Sequence, residues 1–423
     1  MKKFTMALLV FSCLSIPTGS EASSPIQSII DTTPAGGTVE IEAGEYEETI
    51  VIDKPLIIVG KGDVLLRSCE KEPVVTIAGE GVKIKNITLE HCGAEEEDTA
   101  VSITGSHHLL DGIKIETRRF GIMLVEANDV TVQNSELKGR NRGNGIDLWK
   151  SDQNQIENVK ITNVTDGIYL EQSHENVLLK NSIENSRYGM HLMYSNQNVL
   201  QENSSTSNIT GAMLMETDKT SVRHNMFEAN KSNVNAQGLL LYEAYNTEVI
   251  ENEIRGNRVG VYIEKAEKNQ LVSNKIIDNF IGVQFKNANE NKISQNTFIG
   301  NVNEAQAIES SANKVDNNYW DAASLVDMDG DGKSEIPYHA DPYFLTLTKS
   351  VPEYQLFFQA PGLILLQKLL KSPDDQLLTD SAPLMEMSLT VEKETTSRVG
   401  LWVMSILMII ASTSVFILGR KRK

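Results

Sequence analysis

From Phe120 to Lys286 the chain alternates apolar and polar residues in short runs, each carrying a glycine in second place: FGIML, NGIDL, DGIYL, YGMHL, TGAML, QGLLL, VGVYI and IGVQF. These glycines stand at 121, 145, 167, 189, 211, 238, 260 and 282, at intervals of 24, 22, 22, 22, 27, 22 and 22 residues. Asparagines keep step at 181, 203, 225, 252, 274, 296 and 318, and most have another five residues earlier. Helical repeats would need apolar residues at i, i+3, i+4 and i+7, which are absent. Period-two runs between Asn/Gly turns, repeated at about 22 residues, predict an all-β protein of stacked coils of parallel strands.

The register assigns every side chain a face. With each glycine at zero, positions +1 and +3 point inward and +2 and +4 outward, because successive strand side chains alternate. Ile168, Leu170, Met190 and Leu192 are therefore expected in the core. The glycine is read as supplying a sharp turn into the strand. The stacked asparagines are expected to bond between coils through their amides, satisfying turn backbone that would otherwise be buried unpaired. Sequons such as NVT and NIT then read as turn residues.

The N-terminal stretch from Ser24 to Gly62 predicts a short helix over the open end of the coils, then the first strands. Cys69 and Cys92 are 23 residues apart, which sets them on adjacent coils about 5 Å apart, within reach of a disulfide. Two free thiols or a metal pair are the alternatives. Residues 1–22 read as a secretory signal: Lys2 and Lys3, an apolar stretch from Phe4 to Ile16, and Ser20-Glu21-Ala22 as a small-x-small cleavage site. A lipoprotein site at Cys13 is the rival, and Phe11 fits it poorly. Residues 399–418 form an apolar run without charge, long enough to span a bilayer. The basic tail 419–423 follows and sets the C-terminus on the cytoplasmic side. The body, the β-helix domain 23–340, is thus expected to be exported and held outside the cytoplasmic membrane by this helix.

Composition narrows the partners. The 423 residues carry a net charge of −18, which repels nucleic-acid phosphates and attracts cations and basic partners. No nucleic-acid role is expected.

Three features together resemble a known family: the opening AGGTVEIEAGEYEETIVIDKPLIIVGKG, the 22-residue repeats, and the ending NNYWDAASLVDMDGDGKSEIPY. With the later LFFQAPGLILLQKLL and SAPLM, they are similar to NosD over roughly residues 25–385. The resemblance implies a right-handed parallel β-helix serving nitrous oxide reductase maturation outside the cytoplasm. It implies an ABC-type permease and its ATPase, a copper chaperone and the reductase as partners. Copper would be the cargo, and the ATP chemistry would belong to the partner rather than to this chain, which is expected not to be an enzyme. The 399–418 span is an addition that a periplasmic NosD need not have.

The outward columns carry the candidate chemistry. Position +2 holds Asp147, Tyr169, His191 and Met213 on successive coils, and +4 holds Trp149, Glu171, Met193 and Met215. Adjacent coils lie about 4.8 Å apart and i, i+2 about 6.6 Å apart, so His191, Met193, Met213 and Met215 should form a solvent-facing rectangle. Thioethers with an imidazole select soft Cu(I) over Ca, Mg or Zn. A methionine-rich docking surface is the rival, bordered by Trp149, Tyr169 and Tyr242. Extra residues in LKGRNRGNG and EANKSNVNAQG enter at one corner and bracket the cluster. Asp147 and Glu171 raise a third reading, a β-helical polysaccharide lyase or hydrolase.

The acidic loop 327–335 places Asp327, Asp329, Asp331, Gly332 and Glu335 at positions 1, 3, 5, 6 and 9 of an EF-hand, but Tyr338 stands where that loop needs Glu. A calcium-stabilised turn and a metal-free acidic turn are both open. Segment 341–385 includes an apolar stretch with Leu363, Leu366, Leu369 and Leu370 on one side of a short amphipathic helix. It is read as contacting a membrane or partner, with burial as a cap of the β-helix the alternative. Residues 386–398 are a linker.

Overall fold

The computed structural model describes residues 26–340 and 377–387. The signal 1–22, the 399–418 span, and most of the 341–385 segment and of the linker lie outside the described residues. Among the described residues no helix is long and apolar enough to cross a membrane.

The chain winds as an all-β, right-handed parallel β-solenoid. A typical coil gives three strands, Asp166–Glu171, Val177–Leu179 and Ser182–Glu184. The first of each coil joins a twelve-stranded sheet, and the other two join a 24-stranded sheet continuous through the long strand Ile57–Ser68. Register is kept from coil to coil: Ile168 pairs with Met190, Met190 with Ala212, and Tyr169 with His191. The expected inward residues Ile168, Leu170, Met190, Leu192, Ala212 and Leu214 are all fully buried. Stacked identical positions put each apolar side chain against its counterpart one coil away, and burying each Leu or Ile is worth about 1.5–3 kcal/mol.

The glycine column has a different cause from the expected one. None of Gly121, Gly145, Gly167, Gly189, Gly211, Gly238, Gly260 or Gly282 has positive φ. Each stands where a Cβ would collide with a backbone carbonyl of the next coil and, for Gly167, with Ile183 as well. Close approach, not a turn, excludes side chains there. The left-handed turns fall instead on non-glycine residues just past the strands, including Lys150, Gln172, Tyr194, Glu216 and Lys265.

The asparagines behave as expected. From Asn203 onward each Oδ1 accepts from the backbone N–H and the amide of the asparagine one coil earlier: Asn203 from Asn181 at 2.9 and 3.0 Å, and so on to Asn318, which serves Asn296 at 3.0 and 3.0 Å. Helix Ile26–Thr32 covers the N-terminal end, burying Ile26 and Ile30. Cys69 and Cys92 are disulfide-bonded across adjacent coils, with Cα atoms 4.6 Å apart.

The other end is closed from farther along the chain. Leu378–Asp380 pairs antiparallel with Tyr338–Ala340. Asp380, fully buried, takes the place of the next asparagine: its Oδ2 accepts from Asn318 N at 2.9 Å, Asn318 Nδ2 at 3.0 Å and Trp320 Nε1 at 3.0 Å. Phe298, Trp320 and Tyr338 stack beside it with centroids 4.0 and 4.7 Å apart.

Candidate functional site

Strands Asp166–Glu171, Tyr188–Met193 and Thr210–Met215 lie side by side in the twelve-stranded sheet. The register aligns Tyr169 with His191 and His191 with Met213, and Glu171 with Met193 and Met193 with Met215. His191, Met193, Met213 and Met215 therefore do occupy neighbouring outer positions on two coils. The three methionines are partly buried.

His191 departs from the expectation of a solvent-facing ligand. It lies outside the apolar core but is only 6% exposed. Its ring packs between Tyr169 and Tyr188, at centroid distances of 5.0 and 4.7 Å. Nδ1 lies 2.9 Å from Asp166 Oδ2. Arg187 holds the same carboxyl through Nε at 2.9 Å and an Nη at 2.7 Å, and its guanidinium covers the Tyr188 ring at 4.6 Å. Burial opposes the charged form of Asp166, yet hydrogen bonds from His191 and Arg187 hold its carboxyl below the ordinary range. An ionised carboxylate only accepts, so Nδ1 donates, and in the neutral imidazole the lone pair is on Nε2. That Nε2 is buried without a hydrogen-bond partner. Burial of an unpaired polar atom costs about 1–3 kcal/mol, and no neighbour among the described residues offsets it.

The neighbouring acids are tuned by burial. Asp147, one coil before Tyr169, accepts from Asn144 Nδ2 at 2.7 Å. Burial, opposed by that bond and reinforced by Asp166 and Glu171, pushes its carboxyl up to about 7. The Tyr169 hydroxyl donates to Glu171 Oε2 at 2.8 Å and stands 3.4 Å from Met193 Sδ. Burial, then Glu171, pushes that hydroxyl upward. Asp166, Arg187 and Tyr188 escaped the sequence reading. They precede their glycines, outside the outward columns that alternation after each glycine defines. A charged residue in the slot filled by Thr210 and Gln237 on later coils was the available signal.

In the acidic loop, carboxylate oxygens of Asp327, Asp329 and Glu335 lie within 4.8 Å of one another. Asp331 is not in that group; it accepts from Lys333 N at 2.9 Å. Asp327 accepts from Gly330 N at 2.6 Å and Gly332 N at 3.0 Å, with both glycines at φ +82°. The turn is thus closed by its own backbone, with three carboxylates left converging.

Residues 135–329 match the family described as "Periplasmic copper-binding protein (NosD)". That match and the parallel β-solenoid uphold the resemblance read from the sequence, and the matched interval contains the His191 cluster. No curated protein sequence matches the chain. Among solved structures, the Azotobacter vinelandii mannuronan C-5 epimerase AlgE6 A-module is 14% identical, with TM-score 0.58, covering 69% of this chain and 93% of that one. The periplasmic alginate epimerase AlgG is 12% identical, with TM-score 0.51, covering 66% and 85%. A PL6 alginate lyase in complex with a trisaccharide is 12% identical, with TM-score 0.54, covering 69% and 81%. At these identities the likeness is one of fold.

Proposed function

We propose that this chain is an extracytoplasmic accessory protein that handles copper during assembly of the copper sites of nitrous oxide reductase. The observation that carries the reading is the unpartnered Nε2 of His191 beside three thioethers on two adjacent coils. Soft sulfur with a neutral imidazole suits Cu(I), and the family's description is of copper binding in the periplasm. Asp166 plays the part of an outer partner that fixes a ligating imidazole. The proposed assembly includes an ABC-type permease, its ATPase, a copper chaperone and the reductase, with the chain tethered through 399–418. Copper is cargo here, received and surrendered.

Anaerobic Cu(I) titration of the full-length protein tests this. Met193→Leu with Met215→Leu keeps apolar area nearly constant while removing sulfur, and it should weaken Cu(I) by about tenfold or more while partner capture persists. His191→Ala should do the same. Undiminished copper loading of the reductase in both variants would reduce the cluster to a docking surface.

The acidic loop is proposed to bind calcium through Asp327, Asp329 and Glu335, with Asp331 bracing the turn. Chelation should lower the melting temperature by a few degrees, and Asp327→Ala with Asp329→Ala should remove that response. Identical melting curves with and without chelator would leave a metal-free turn.

A second reading is favoured by one observation. Asp147, titrating near 7, shares a column with Tyr169 and the Asp166-held His191, an array suited to acid–base chemistry on an acidic polysaccharide. Release of reducing ends or unsaturated products from alginate, lost in Asp147→Asn, would favour it over copper handling.

A further inference from the structure

We propose that a second site, on another face of the β-helix, binds a small multivalent oxyanion carrying carboxylate or phosphate groups. A concavity of about 290 Å³ is lined by Arg118, Lys138, Arg140, Glu116, Glu90 and His91. Its walls are two columns on three successive coils. Glu90, Glu116 and Lys138 are aligned in register. Two residues farther along those same coils come Cys92, Arg118 and Arg140.

The charges in this hollow are unbalanced. Arg118, Lys138 and Arg140 are exposed, and among the described residues none of their side chains is ion-paired or hydrogen-bonded. Among the described residues four other arginines are ion-paired: Arg67 with Glu90, Arg187 with Asp166, Arg223 with Glu248, Arg255 with Glu228. Because Glu90 is taken by Arg67, Glu116 alone faces three cations. Arg118 and Arg140 follow paired strands of adjoining coils and line the same hollow, where like charges repel. On a chain of net charge −18, such a grouping is relieved by an anion rather than by the protein. Guanidinium forks match planar oxyanions bidentately.

Two ordered features border the hollow. His91 is 1% exposed, and its Nε2 is bonded to Glu70 O at 3.0 Å while Nδ1 has no partner. The Cys69–Cys92 disulfide fixes the rim at the head of the arginine column. The arginines come from RRFG and KGRNRG, the latter being the insertion before Gly145 that copper handling does not use.

Calorimetry on the purified full-length protein at about 50 mM salt would use three probes: citrate, inorganic pyrophosphate and trigalacturonate. Binding of any of them should weaken as salt rises. Arg118→Ala and Arg140→Ala should each weaken it about tenfold. Arg255→Ala, at a paired surface arginine, should leave it unchanged. Tighter binding of trigalacturonate than of citrate assigns the site to a polymer's repeating acid, and the reverse order assigns it to a free anion. No binding of all three at millimolar concentration, or equal affinity in the Arg118→Ala/Arg140→Ala double variant, overturns the proposal.

Discussion

Asp380→Ala should cost the C-terminal end of the β-helix about 3–5 kcal/mol, the sum of several donors left buried without an acceptor. Asn318 N, Asn318 Nδ2 and Trp320 Nε1 all converge on one oxygen of Asp380. The other oxygen accepts from Ala382 N at 3.1 Å. Coils of a solenoid contact only their neighbours, so the loss should stay local. Hydrogen exchange over 314–321 and 378–382 should accelerate about a hundredfold or more, while exchange over 122–170 stays as in the parent. Asp380→Asn should be milder but not silent, because its amide would face the Ala382 N–H. Exchange at 314–321 unchanged by the alanine variant would show that the return strand is not what closes this end.

Asp166→Ala should be the most damaging change on the outer face, at about 3 kcal/mol of stability. It strands the Nδ1 of a buried His191, whereas half-exposed Arg187 turns to solvent. The sign with pH follows from the shift. The folded carboxyl titrates below its ordinary value near 3.8, so its contribution is fully present above that value and is lost as pH falls through the lower, folded one. The gap between parent and Asp166→Asn, read by denaturant unfolding, should therefore be constant at neutral pH and shrink below about pH 4. The asparagine variant should also weaken Cu(I), since its amide can hold the other imidazole tautomer. A gap that widens on acidification would mean that Asp166 is not the charged partner described.

The architecture was legible because one coil is written many times. Inward and outward columns, the asparagine stack and the nearness of Cys69 to Cys92 follow from spacing, and each repetition tests the others; the bond between the cysteines is the structure's addition. What the spacing missed lies where one coil reaches across to another. Asp166 meets His191 although one precedes its glycine and the other follows its own. Alternation says that His191 faces away from the core, and it does; it says nothing of Tyr169 and Tyr188 closing over it. The glycines misled for a related reason. Their sequence position resembles a turn, whereas the constraint is a carbonyl from the next coil. Asp380 stands 62 residues beyond Asn318, off the repeat, so no periodicity could have placed it.

The asparagine column also has a direction. In every rung from Asn181 to Asn318 the amide N–H points to the later coil and the carbonyl oxygen to the earlier one. The side-chain dipoles thus add head to tail and polarise one another, with the positive end at the C-terminal coil. A second column, Asn230 to Asn301, runs the same way and ends on Glu304 Oε2 at 2.8 Å. Both columns finish on an acid group rather than a further amide. The solenoid is therefore polar in the manner of a helix, and its two ends are not interchangeable. A whole 22-residue coil could be excised between two identical rungs with the dipoles rejoined, while a cut just after Asn318 would leave a line of aligned donors with nothing to receive them.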